Sequence, residues 1–120
     1  MKTLLIAEDD AFLTKVYRKN LEQEGLQILT AADGQEAIDI IDAKQPDLLI
    51  LDLLLPKVKG VGVLEHVRAK GYTFPVIILS NVNQEADRKE CESLGIAHYF
   101  VKGDTSIQKV KDKVHEILFA

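Results

Sequence analysis

The sequence has one cysteine, Cys91, and no tryptophan. A single thiol excludes an internal disulfide and any metal cluster built from several cysteines. It points to a reducing, cytosolic compartment. Prolines number three and glycines seven in 120 residues, and no Pro/Gly/Ser-rich stretch divides the chain. The length therefore fits one domain, residues 1–120, with no linker. Long apolar runs are missing too. The start, Met1-Lys2-Thr3-Leu4-Leu5-Ile6-Ala7, is followed at once by Glu8-Asp9-Asp10, too early for a secretory core segment and its cleavage site. The longest strongly apolar run, 48–55, is interrupted by Asp52 and ends at Pro56. A membrane span needs ~20 such residues. Nor is positive charge in excess: 15 basic residues face 19 acidic ones, for a net charge of −4. That balance argues against a broad nucleic-acid or anionic-membrane surface. The three histidines, His66, His98 and His115, show no metal-ligand spacing and read as surface or half-buried residues.

What is present is an ordinary globular composition, 47% hydrophobic and 28% charged. A chain of this length buries roughly two-thirds of its unfolded surface, enough for a core without staples. Short apolar runs at 3–7, 27–31, 47–51, 75–79 and 99–101 alternate with longer amphipathic segments. Most of the short runs are continuous, as expected of strands covered on both faces of a parallel sheet. Phe12, Leu13, Val16, Tyr17 and Leu21 recur at three and four, predicting a helix over 11–24 that stops at Gly25. A second helix opens at Asp33-Gly34-Gln35-Glu36 and ends before Pro46. A third covers 61–69 and a fourth 84–94, stopped by Gly95; Cys91 is read as a small packing residue of the fourth. The last, 106–118, is capped by Thr105 or Ser106 and carries the stripe Ile107, Val110, Val114, Ile117 and Leu118. The pattern βαβαβαβαβα with right-handed crossovers gives an α/β fold, a five-stranded parallel sheet with helices on both faces. Ligands of such sheets bind beyond the carboxyl ends of the strands.

Four of the five strand ends carry reactive groups. The first ends in Glu8-Asp9-Asp10, the third in Asp52, the fourth in Ser80-Asn81 and the fifth in Lys102. Each has a plain structural explanation. Asp9 or Asp10 caps a helix, Asp52 precedes a turn, Ser80 is common at strand ends, and Lys102 is a solvated lysine. If strands one and three are neighbours, however, the carboxylates of Glu8, Asp9 and Asp52 converge. Such a cluster is self-repelling without a cation, and an oxygen-only donor set suits Mg²⁺. No phosphate-cradling glycine-rich loop follows the first strand, which argues against a dinucleotide or flavin site.

The stretches Ile6-Ala7-Glu8-Asp9-Asp10, Ala32-Asp33-Gly34-Gln35-Glu36-Ala37, Pro46-Asp47-Leu48-Leu49-Ile50-Leu51-Asp52-Leu53, Leu55-Pro56, Pro75-Val76-Ile77-Ile78-Leu79-Ser80 and Tyr99-Phe100-Val101-Lys102 stand in a specific order and spacing. With them the chain resembles, over essentially its whole length, the receiver domain of two-component response regulators. The resemblance implies a flavodoxin-like sheet of order 2-1-3-4-5. It implies Asp52 as phosphoacceptor, and Mg²⁺ held by Glu8, Asp9, Asp52 and the Leu54 backbone carbonyl. Ser80 becomes the switching hydroxyl, Lys102 the phosphate-binding lysine and Tyr99 the rotating aromatic. The implied donor is a phosphohistidine on a histidine kinase or histidine phosphotransfer protein. The implied receiver of the signal is an output protein of unknown identity, and the domain itself is expected to make no direct contact with nucleic acid or membrane and to be a monomer or weak dimer.

The chain also departs from the family pattern. Gly103 follows Lys102 where proline is usual. Asn81 follows Ser80 where alanine is common. Lys59 precedes Gly60 where an acidic residue is usual. Ala97-His98 replaces an acidic pair of many DNA-binding members, which weakens the case for their type of dimer. In the family, side chains two positions beyond the phosphoacceptor and two beyond the hydroxyl help to hold the hydrolytic water. Here these are Leu54 and Val82, and a long-lived phosphorylated state is expected. A partner helix is expected to dock on the first helix through Phe12 or Leu13 with Lys15 or Val16; burial of all the apolar ones in the core is the competing expectation. Two other functions stand beside the phosphorelay switch. One is a non-phosphorylated interaction module, against which the complete residue set argues. The other is an aspartyl-phosphate phosphatase, which typically needs a carboxylate where Leu54 stands. The final helix finishes at the chain end, which suits a stand-alone receiver and an excised domain equally.

Overall fold

A computed structural model describes all of residues 1–120. Five strands alternate with five helices: β1 Lys2–Ala7, α1 Ala11–Leu21, β2 Leu26–Ala31, α2 Gly34–Lys44, β3 Leu48–Leu51, α3 Gly60–Ala69, β4 Val76–Ser80, α4 Glu85–Leu94, β5 His98–Val101 and α5 Ile107–Leu118, with a 3₁₀ turn at Lys102–Asp104 before α5. All strand pairs are parallel and the order is β2-β1-β3-β4-β5, as the resemblance implies.

Strand alternation divides the core in two. Leu5, Ala7, Leu49, Leu51, Val76 and Ile78 face α2, α3 and α4. Leu4, Ile6, Leu48, Ile50, Ile77 and Leu79 face α1 and α5. Both sets are almost fully buried, which is why the strands read as continuous apolar runs rather than alternating ones. The carboxyl ends of β1, β3, β4 and β5 share one edge of the sheet.

Most predicted boundaries move by one residue. Lys2 joins β1 opposite Leu26, and His98 joins β5 opposite Ile77. Asp47 leaves β3 because its carboxylate instead accepts the Thr3 N–H at 2.7 Å. The larger correction is α1, which stops at Leu21 rather than residue 24. Glu22 turns to extended dihedrals. Glu22 and Glu24 would place negative charge on the negative end of the helix dipole. Gly25, at φ 83°, then supports the turn into β2. Of the two candidates for capping α5, Ser106 does so, accepting the Lys109 N–H.

Two glycines fix the loop that follows β3. A Cβ on Gly34 would lie 1.7 Å from the Val58 carbonyl oxygen, and one on Gly60 would lie 2.3 Å from that of Asp52. The first turns of α2 and α3 can press on this loop only because both residues lack a side chain.

Candidate functional site

The β1, β3, β4 and β5 ends bring Glu8, Asp52, Ser80 and Lys102 to one edge, and all but Lys102 are buried. Asp52 leaves the sheet with its N–H bonded to the Ala7 carbonyl, which sets it beside the end of β1. The Lys102 ammonium crosses from the end of β5 and donates to Glu8 Oε1 at 2.5 Å and Asp52 Oδ2 at 2.7 Å. The remaining carboxylate oxygens are also engaged. Glu8 Oε2 accepts the Asp10 N–H at 3.0 Å, and Asp52 Oδ1 accepts the Leu54 N–H at 3.2 Å. No buried side-chain polar atom lacks a partner.

The adjacent aspartates divide their work. Asp10 caps α1, its Oδ1 accepting the N–H groups of Phe12 at 2.9 Å and Leu13 at 3.1 Å. Asp9 is exposed, and its carboxylate is the third member of an oxygen cluster with Glu8 and Asp52 whose atoms lie within 4.8 Å of one another. A divalent ion with hard-oxygen preference fits this donor set, since Mg²⁺ takes few carboxylates and keeps waters. The Leu54 carbonyl accepts none of the chain's hydrogen bonds, so its lone pairs are free.

Charge at the site is finely balanced. Burial pushes the Glu8 carboxyl above its usual range and the Asp52 charge adds to this, while the Lys102 hydrogen bond opposes both. For Lys102, burial alone would favour the neutral amine. The hydrogen bonds it donates to Asp52 and Glu8 outweigh that and hold its pKa above the ordinary value.

Ser80 is fully buried and its Oγ accepts the Val82 N–H at 3.3 Å. The Tyr99 ring is buried and its hydroxyl donates to the Val82 carbonyl. The Arg88 guanidinium lies 4.8 Å from the Tyr99 ring centroid. Neither the Val82 carbonyl nor Arg88 announces itself in the sequence: one is backbone, and the other is one charge among many in a polar helix. The expected exposure on α1 is present. Phe12 is 71% exposed, Leu13 and Val16 are half-buried, and Lys15 is exposed. Leu54, at 58%, is the other large exposed apolar side chain beside the site. An open groove of about 350 Å³ runs between α1 and the end of β5, lined by Leu13, Tyr17, Asn81, Lys102, Gly103 and Ile107 among others.

Comparison with known proteins agrees with this fold. The response regulator receiver domain family matches residues 4–115. The alkaline phosphatase synthesis transcriptional regulatory protein PhoP of Bacillus subtilis is 32% identical over 98% of this chain and 48% of its own length. The transcriptional regulatory protein CpxR of Escherichia coli is 37% identical over 85% of this chain and 43% of its own. The chain thus spans less than half the length of these relatives. Among solved structures, a Francisella response regulator receiver domain superposes with a TM-score of 0.89 at 26% identity, covering 98% of this chain and 96% of that one. A CheX–CheY–BeF₃–Mg complex from Borrelia burgdorferi gives 0.86 at 28% identity, covering 99% and 90%. With the family match spanning nearly the whole sequence and the strand order that of its solved relatives, the chain belongs to the receiver-domain family of response regulators.

Proposed function

We propose that residues 1–120 form a phosphorelay receiver in which Asp52 accepts a phosphoryl group from a phosphohistidine and, once modified, changes a partner-binding surface. One observation carries this reading: a buried aspartate at the centre of the sheet edge shares a single ammonium with Glu8, beside a further carboxylate that completes an oxygen cluster.

In the transfer, an Asp52 carboxylate oxygen forms a bond to phosphorus as the P–N bond to imidazole breaks. The electron pair of that bond returns to the imidazole, which takes up a proton. A carboxylate is a weak nucleophile, so position and charge neutralisation supply the catalysis. Glu8, Asp9, Asp52 and the Leu54 carbonyl would hold Mg²⁺, which supplies positive charge to the phosphoryl oxygens. The Lys102 ammonium releases Glu8 and neutralises another phosphoryl oxygen, and the Ser80 hydroxyl turns from its Val82 contact to donate to a third. Tyr99 reads that movement through Val82, which it touches on the carbonyl side, and passes it to α4 and β5. A Mg²⁺ and BeF₃ complex of a 28% identical relative supports the site's chemistry.

The donor is a histidine kinase or histidine phosphotransfer protein. It docks on α1 through Phe12 and Lys15 beside the groove that leads to Lys102. The output partner meets the α4–β5–α5 side. The domain acts as a cytoplasmic regulator that modifies only itself, as a monomer or weak dimer, without itself touching nucleic acid.

Incubation with Mg²⁺ and phosphoramidate, followed by intact mass, tests the reading. A stable phosphoryl adduct that disappears in Asp52→Asn is expected. Continuous donor turnover without an adduct would instead indicate a phosphatase, and no reaction an unmodified interaction module.

A further inference from the structure

One contact across the sheet edge is not required by the chemistry of Asp52 itself. Strands β4 and β5 pair with Ser80 opposite Val101. Beyond that pair both segments leave the sheet, Asn81 into the loop before α4 and Lys102 into the 3₁₀ turn. Across this gap Asn81 Oδ1 accepts the Gly103 N–H at 3.1 Å.

That N–H belongs to the planar peptide unit following the Lys102 α-carbon, so its direction is set by ψ of Lys102. Holding it fixes one of the two soft torsions from which the lysine side chain springs. The need is evident from the residues. Gly103 has the widest backbone freedom of any residue type, and an N–H in the first turn of a helix has no partner within it. The lysine side chain loses much rotamer freedom when held in one place, yet its ammonium meets Glu8 and Asp52 together. A second tie lies on the other side of Lys102, where the Tyr99 hydroxyl bonds the Val82 carbonyl. Residues 81 and 82 are therefore held to the β5 segment both before and after Lys102. A Cβ on Gly103 would meet Asn81 Oδ1 at 3.7 Å, an ordinary contact, so space alone does not require glycine there.

We propose that Asn81 is a positioning residue which, through the Gly103 N–H, orients the Lys102 backbone and holds its ammonium where a phosphoryl oxygen on Asp52 requires it. This rests on reading Asp52 as phosphoacceptor with Lys102 as its cationic partner.

The test uses the whole chain and four variants: Asn81→Ala, Gly103→Ala, Gly103→Pro, and Asn81→Ala with Gly103→Pro. Three quantities are measured: the NMR signal of the Lys102 ammonium without phosphodonor, Mg²⁺ affinity, and the phosphorylation rate with phosphoramidate at saturating Mg²⁺. Asn81→Ala is expected to broaden the ammonium signal and slow phosphorylation about threefold, the effect of one neutral exposed hydrogen bond, with Mg²⁺ affinity and melting temperature unchanged. Gly103→Ala keeps the donor and should behave as wild type. Proline has no N–H, so in the Gly103→Pro background Asn81→Ala should make no further difference. An unchanged ammonium signal in Asn81→Ala, or a rate equal to or above wild type, overturns the proposal. A wild-type protein that takes no phosphate overturns the reading of Asp52, while the Lys102 signal still decides the role of Asn81.

Discussion

Asp9 and Asp10 are adjacent and chemically identical, yet they sit in different surroundings. Both Asp10 bonds to α1 use Oδ1, so that oxygen is already committed to backbone donors. Asp9 is exposed and belongs to the oxygen cluster with Glu8 and Asp52. Of the three carboxylates there it is the one Lys102 does not neutralise. Asp9→Asn should therefore weaken Mg²⁺ binding by about tenfold or more, ~1.4 kcal/mol. Asp10→Asn retains a capping oxygen and should leave the affinity near wild type. Titration calorimetry of the three proteins measures this, and equal affinity in wild type and Asp9→Asn would remove Asp9 from the site. The sequence places four polar groups at strand ends, because an apolar run that stops abruptly at a charge is visible in one dimension. It does not separate Asp9 from Asp10, since either side chain has the reach to cap α1. Nor does it show that Asn81 meets Gly103, an interaction between loops that depends on the β4–β5 register.

Among the elements, the strands are the most legible and α1 the least. The central strands β3 and β4 are buried along their whole length, so their apolar runs mark them directly, whereas the end of α1 is decided by Glu22 and Glu24 against the helix dipole. Helix α2 has the clearest start. The Asp33 carboxylate accepts the Glu36 N–H at 2.8 Å, and Glu36 reaches back to the Ala32 N–H at the same distance, a reciprocal cap. That backbone hydrogen bond, with Lys57 nearby, holds the Asp33 carboxyl below its ordinary 3.8. At the other end of α2, the His66 hydrogen bond followed by that of Tyr72 does the same for Asp42. Both groups bind protons less readily folded than unfolded. Their contribution is therefore complete well above 3.8 and is lost as the pH falls through the folded values, which lie below it. Asp33→Asn keeps a capping acceptor but cannot titrate. Denaturant unfolding from pH 6 to about 2.5 should show a shallower acid loss for this variant than for wild type. Parallel curves would mean that the cap does not respond to pH.

For the whole molecule, we propose that the β3–α3 and β4–α4 loops, which follow Asp52 and Ser80, set how long a phosphorylated state lasts. Hydrolysis requires a water in line with the phosphoryl group, held by groups around the opening. The side chains nearest that approach along the chain are Leu54, two residues beyond Asp52, and Val82, two beyond Ser80. Leu54 is 58% exposed and Val82 half-buried. Neither side chain has a polar atom. The polar atoms of the Val82 backbone are already occupied, its N–H by Ser80 Oγ and its carbonyl by the Tyr99 hydroxyl. Asn81, the nearby polar side chain, has its oxygen engaged by Gly103. The Leu54 and Val82 side chains therefore offer the water no orienting partner, the Asn81 amide nitrogen being the competing one, and the absence of one orienting hydrogen bond worth ~1.4 kcal/mol slows a step about tenfold. A phosphorylated state slowed in this way is expected to suit a sustained output rather than rapid tracking of a signal. Leu54→Asn combined with Val82→Glu supplies two polar groups at the opening and should shorten the phosphoryl half-life by about tenfold or more on the same scale. The measurement is loss of the phosphoryl adduct from purified protein in Mg²⁺ after donor removal. A double variant that decays no faster than wild type would place control of the lifetime elsewhere in the molecule.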